Sequence, residues 1–142
     1  MLAKVVTFLC LSGLSGGGPV HNGEQSYRVV GTLKCGTNPL EGAEVTLLDK
    51  EHDLVDVLAS GATDATGAFS LSGSKVEVTP IDTFLSIKHN CHVEPSKEGC
   101  RRQVKFVLPA TYISLGKRPR KTFNMGQWNL ESKFSLETEQ CD

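Results

Sequence analysis

From Tyr27 onward the chain is written almost wholly in period two: short runs alternate apolar and polar residues, turn residues separate them, and helical spacing is nearly absent. Strands of this kind, each with one apolar face, must bury those faces by stacking sheet on sheet. In YRVVGTLKC, Tyr27, Val29, Leu33 and Cys35 share a face, with Arg28, Thr32 and Lys34 mostly opposite. After the turn GTNPLEG, Ala43, Val45 and Leu47 alternate with Glu44 and Thr46, and these first two strands are expected to be antiparallel neighbours. Leu54, Val55, Val57 and Leu58 read as a third strand. In TDATGAFSLSG, Asp64 is expected to cap a tight turn and Gly67 to take positive φ before Phe69 and Leu71 resume the alternation. IDTFLSIKHNC puts Ile81, Leu85, Ile87, His89 and Cys91 on one face, and RRQVKFVLP puts Val104, Phe106 and Leu108 opposite Arg101, Gln103 and Lys105. With a helical turn at ATYIS and a last strand in TFNMGQWNL, the count is seven. The expectation is an all-β, seven-stranded antiparallel β-sandwich over residues 27–142 with at most one short helical turn.

Length and composition fit one such unit. At 142 residues, 22% charged and 39% hydrophobic, a single soluble core is expected. A net charge of -1 argues against indiscriminate nucleic-acid binding. Residues 1–18 have the layout of a secretory signal peptide: Lys4, an apolar run from Val5 to Leu14, then Ser15 and glycines. The run is too short to cross a bilayer, which takes roughly 20 residues. No transmembrane segment is therefore expected, and the product is read as secreted and extracellular. Residues 19–26 are polar and turn-rich and read as a flexible arm. Losing the leader removes Lys4 and Cys10, leaving 14 basic residues against 16 acidic ones and four cysteines. Cys35, Cys91, Cys100 and Cys141 are an even set, which in a secreted domain reads as two disulfides.

The stretch KHNCHVEPSKEGCRR, 88–102, crowds two histidines and two cysteines together. Zinc needs four converging ligands; His89 and Cys91 share a strand face, but His92 projects to the other, so no metal is assigned. A cysteine nucleophile needs a free thiol, which an oxidising compartment removes, so no catalytic residue and no cofactor are assigned. The expected pairing is Cys91 with Cys100, worth about 3 kcal/mol by loop-closure entropy, and Cys35 with Cys141, worth about 5 kcal/mol. His89 is then a half-buried strand residue and His92 a solvated one. Further on, GKRPRKT gathers Lys117, Arg118, Arg120 and Lys121 around Pro119. It reads either as a solvated loop offsetting acidic neighbours or as an anion-binding patch, with Arg101, Arg102 and Lys105 as reinforcement.

Taken together, VVGTLKCGTNPLEGAEVTLLDKE, LASGATDATGAFSLSGS, IDTFLSIKHNC, the segment from Gly99 to Leu130 and the closing Cys141 resemble the secreted nematode transthyretin-like proteins. The resemblance runs from Tyr27 to Cys141 and implies a transthyretin-type sandwich, an extracellular location and two disulfides. It further implies action by binding rather than by catalysis. The wider fold includes a hydrolase whose C-terminal Tyr-Arg-Gly-Ser signature is replaced here by LETEQCD. The functional expectation is a non-enzymatic extracellular binding protein that engages anionic lipid or a cell-surface protein through the basic loop. The alternative is a carrier of a small hydrophobic ligand in an oligomeric channel.

Overall fold

A computed structural model describes residues 23–141. The leader expected over residues 1–18 and the arm residues 19–22 lie outside the described residues. The strands are β1 (Gly23–Cys35), β2 (Asn38–Pro39), β3 (Glu44–Glu51), β4 (Leu54–Ala62), β5 (Ala68–Glu77), β6 (Thr83–His89), β7 (Cys100–Val107), β8 (Ser114–Leu115), β9 (Phe123–Asn129) and β10 (Glu137–Cys141). One sheet is built around β1, which pairs with β2, β5, β8 and β9; the other runs β10-β7-β6-β3-β4. All seven expected strands are present, supplemented by the two-residue β2 and β8 and by β10. Every ladder is antiparallel except that of β1 with β9, which is parallel. The turn foreseen at ATYIS is a 3-10 turn, Ala110–Tyr112, and a second one, Pro95–Lys97, was not foreseen.

Inward positions of both sheets meet in one core. Tyr27, Val29 and Leu33 of β1 pack with Val45, Leu47, Leu85 and Ile87, all fully buried. Burying each such side chain is worth roughly 1.5–3 kcal/mol. The Tyr27 hydroxyl donates to the Pro109 carbonyl oxygen at 2.8 Å, so its polar end is satisfied.

Three expectations about connectivity are corrected. First, β1 and β3 belong to different sheets. Gly36, at φ 66°, turns the chain into β2, which pairs with the end of β1 for two residues only. Pro39 has no N–H with which to lengthen that ladder, and the next residue, Leu40, enters the core and donates its N–H to Leu33 O at 3.0 Å. The chain thereby crosses to the opposite layer.

Second, the arm ends earlier than expected, because Gly23–Ser26 are the first residues of β1. Gln25 is fully buried yet satisfied: its Nε2 donates to Glu77 O (3.0 Å) and Thr79 O (2.8 Å), and its Oε1 accepts from the Ile81 N–H (2.9 Å). A polar run can begin a buried strand when backbone groups await its amide.

Third, the disulfides are Cys35–Cys91 and Cys100–Cys141 rather than Cys91–Cys100 and Cys35–Cys141. Cys91 keeps the inward phase of β6 and meets Cys35 across the layers, with Cα atoms 5.7 Å apart. Cys100 starts β7 in direct register with Cys141 of β10. With sequence separations of 56 and 41, each bridge is worth about 4 kcal/mol in the loop-entropy account.

The Asp64 turn forms as read from the sequence. Asp64 Oδ1 accepts from the Thr66 and Ala68 N–H groups and from the Thr66 hydroxyl, and Gly67 has φ 83°. Gly67 also accepts the Leu33 N–H on its carbonyl at 2.8 Å, and a Cβ there would overlap the Leu33 carbonyl oxygen. At the far side Gly73 of β5 faces Leu58 of β4 so closely that a Cβ would strike the Leu58 carbonyl, and there the two sheets meet edge to edge. Gly67→Ala should lower unfolding free energy by roughly 2–3 kcal/mol, since positive φ and overlap with backbone act together. Urea denaturation measures this, and a loss below about 0.5 kcal/mol would mean that the turn relaxes freely.

Candidate functional site

The basic loop follows β8 and is held from beneath. The Gly116 N–H bonds to Glu24 O (2.8 Å), the Arg120 N–H to the Ser114 hydroxyl (2.9 Å), and Lys121 Nζ to Thr111 O (2.8 Å). Pro119 is half-buried, whereas Lys117, Arg118, Arg120 and Lys121 are all exposed. Among the described residues none of the four has a carboxylate within 4.0 Å. Leu115, immediately before the loop, is 47% exposed. Leu115 pairs with Gln25 on one side of β1, and Val76, 69% exposed, pairs with Glu24 on the other. Val78, just beyond β5, is also exposed. This end of the sandwich therefore has four exposed cations without carboxylate partners among the described residues and apolar tips, Leu115 on one face of the sheet and Val76 on the other.

Arg101 and Arg102 do not join that rim. They stand at the start of β7, seven residues before Leu108, and extended chain at about 3.3 Å per residue puts them roughly 20 Å away. Arg101 is exposed and paired with Glu44 at 3.1 Å. Arg102 is buried, which removes it as an anion-binding candidate. Its Nε and Nη2 grip Glu137 in two parallel bonds of 2.6 and 2.9 Å, Nη1 donates to Cys91 O and Nη2 to Ser132 O, both at 2.8 Å. The hydrogen bonds from Arg102 hold the Glu137 carboxyl below its ordinary range. The signal was legible: Arg102 is in phase with Val104, and alternation sends it inward. Lys105 is exposed on the outer face, its Nζ 5.9 Å from the Phe84 ring centroid.

A second buried ionic group had no counterpart in the sequence reading. Lys75 Nζ lies 3.0 Å from Asp49 Oδ2, 3.2 Å from Glu77 Oε2 and 3.7 Å from Glu51, and also pairs with Asp56. Asp49 is fully buried and Glu77 nearly so. Burial pushes Glu77 up to about 7, reinforced by the adjoining Asp49 carboxyl and opposed by Lys75. For Asp49, burial acts upward, but the contact with Glu77, the Asp82 N–H and Lys75 outweigh it and hold the group low. Hydrogen bonds donated to Asp56 and Asp49 keep Lys75 protonated well above its usual range. Again phase was the clue, since Asp49 continues the inward series Val45, Leu47, and Glu77 the series Phe69, Leu71, Gly73.

The histidines are dispersed. His89 is buried rather than half-buried: its Nδ1 accepts the Cys91 N–H at 3.0 Å, while burial, helped by Arg102, pushes it down to about 4 and keeps it neutral. His92 is exposed, in the left-handed region at φ 51°, with Nε2 3.3 Å from Glu131 Oε2. Its ring and the sulfurs of Cys35 and Cys91 lie within 4.8 Å of one another, but both sulfurs are joined in the disulfide. His52 occupies the β3–β4 turn at φ 55°. No helix among the described residues is long and apolar enough to cross a membrane.

A family model described as the transthyretin-like family matches residues 30–109. Transthyretin-like protein 33 of Caenorhabditis elegans is 40% identical over 119 residues, covering 82% of each chain. Transthyretin-like protein 46 of the same organism is 42% identical over 116 residues, covering 80% of this chain and 64% of that one. Transthyretin-like protein 5 is 34% identical over 142 residues, covering 97% and 98%.

Two outcomes follow from the buried charges. Arg102→Ala should cost about 3–5 kcal/mol, because Glu137 is left buried and unpaired, while Arg101→Ala at its exposed pair should change stability by less than about 0.5 kcal/mol. Equal effects in chemical denaturation would contradict this division. For Glu77, the folded value near 7 exceeds the ordinary 4.5, so the folded state holds the extra proton between those limits. Its contribution is full below pH 4.5 and is lost as pH rises through 7. Glu77→Gln should flatten the stability profile over that window; parallel profiles for the two proteins would show that Glu77 does not titrate there.

Proposed function

The chain belongs to the transthyretin-like family, and from that premise we propose a secreted, non-enzymatic binding protein that engages anionic surfaces through the rim carrying the basic loop. The observation that carries the reading is the set of four exposed cations, Lys117, Arg118, Arg120 and Lys121, on a loop anchored by backbone bonds and without carboxylate partners among the described residues. A cation near an anionic membrane contributes about 1 kcal/mol, so four make a usable attraction. Exposed Leu115, immediately before the loop, suits the apolar boundary just beneath lipid head groups. Two disulfides accord with an extracellular setting. Non-enzymatic action is supported by the histidines: His89 is sealed against Arg102, His92 leans on Glu131, and His52 stands apart in a turn.

The alternative, a small apolar ligand held in a channel between subunits, draws no support from the outward face of β9-β1-β5. Around the half-buried Val30 and the exposed Val76 near its end, that face presents Arg28, Ser70, Ser72, Asn124 and Gln127, all exposed and polar. Replacing Lys117, Arg118, Arg120 and Lys121 together by Ser should lower affinity for anionic phospholipid vesicles roughly tenfold or more and abolish its salt dependence. Vesicle co-sedimentation against neutral phosphatidylcholine reads this out. Undiminished binding by the quadruple variant, or no binding by either protein, would overturn the reading.

A further inference from the structure

The outward face of β4-β3-β6-β7 carries, among its polar residues, one row that is apolar. In the ladder register, Val57 stands opposite Leu48, Leu48 opposite Phe84, and Phe84 opposite Val107. These four form an unbroken apolar row across four strands. Its ends are the most open, Val57 at 63% and Val107 at 75% exposure, and beyond Val107 the row meets Leu136 at 56%. An open groove of about 420 Å³ lies elsewhere among polar loop residues, whereas one of about 350 Å³ runs beside Phe84, Val107 and Leu136. Scattered apolar residues on a surface need no explanation, but a contiguous row does.

Two lysines stand beside the row, one on each side of it. Along β3, two residues past Leu48, stands Lys50; along β7, two residues before Val107, stands Lys105. The two strands run in the same direction, so the lysines lie on opposite sides of the row, each displaced by about 6.7 Å. Both are exposed, and among the described residues neither has a carboxylate within 4.0 Å. Asp82, exposed and across the strands from Lys50, lines the groove at that end, so the Lys50 flank carries both signs.

We propose that this face is a docking surface for an acidic amphipathic helix of a partner protein. The dimensions match. The row spans three inter-strand steps of about 4.8 Å, close to the 5.4 Å rise of a helical turn, so apolar residues one turn apart fall on successive strands. The lysines are about 13 Å apart across the row, and a helix with its side chains is about 10–12 Å wide. Glutamates flanking the apolar stripe of such a helix reach Lys50 on one side and Lys105 on the other.

The test uses the disulfide-intact protein and two synthetic helical peptides of about four turns, with the same leucine stripe, one flanked by glutamates and one by lysines. The acidic peptide should bind, with amide shifts concentrated on Leu48, Val57, Phe84 and Val107. The double variant Lys50→Glu, Lys105→Glu should weaken it at least tenfold and accept the lysine-flanked peptide instead. Val107→Asp, at an exposed site that leaves folding intact, should weaken both. The quadruple Ser variant of the basic loop should bind the acidic peptide undiminished, which separates this surface from the rim reading. Equal binding of both peptides, shifts confined to other faces, concentration-dependent dimerisation in sedimentation, or protection of the row by anionic vesicles instead of by peptide would each overturn the proposal.

Discussion

The C-terminal third is held to the rest of the molecule by the buried guanidinium of Arg102. It reaches the carbonyl of Cys91, the carbonyl of Ser132 and both oxygens of Glu137, and so joins the end of β6, the connection before β10 and β10 itself. A buried charge is tolerated only where its donors are met, and here four hydrogen bonds meet them. The two disulfides stand on either side of this hub: Cys91 contributes its carbonyl to the guanidinium and its sulfur to Cys35, while Cys141 closes β10 onto β7. Phe106, Trp128 and Phe134 pack around one another nearby, with ring centroids 4.9–5.9 Å apart. Electrostatic and covalent fastening thus converge where the last strand would otherwise be loose.

Strand existence was legible because alternation is a local signal. Tyr27, Val29 and Leu33, or Leu85 and Ile87, declare their inward face without reference to any distant residue. Pairing is a different matter. Whether β1 neighbours β3 depends on Leu40 turning into the core and on Pro39 lacking a donor, which only the three-dimensional packing weighs against a simple hairpin. The disulfides followed the same rule: Cys91 is nearer in sequence to Cys100, yet its phase on β6 points it at Cys35.

Buried charges were harder to read for a related cause. Arg102, Asp49 and Glu77 all sit at inward positions, but a charge is buried only where partners meet it, and those partners come from other strands. The basic loop escaped this difficulty because its exposure follows from proline and from four like charges that cannot share one interior. The molecule consequently carries two unlike surfaces: a cationic rim with apolar tips, and an apolar row across one sheet with lysines on both sides. They lie on different faces and differ in chemistry.

The order of the cysteines along the chain makes two covalent rings in tandem, 35–91 and 100–141, joined by the short span 92–99. A nested arrangement would have left no such weak span. As it is, a single peptide-bond break inside either ring leaves the domain in one covalent piece, whereas one break within 92–99 divides it into halves held by non-covalent contacts alone, the β6–β7, β1–β8 and β1–β9 ladders and the shared core. Between Cys35 and Cys141, the resistance of this protein to being cut apart therefore rests on eight residues rather than on the length of its loops.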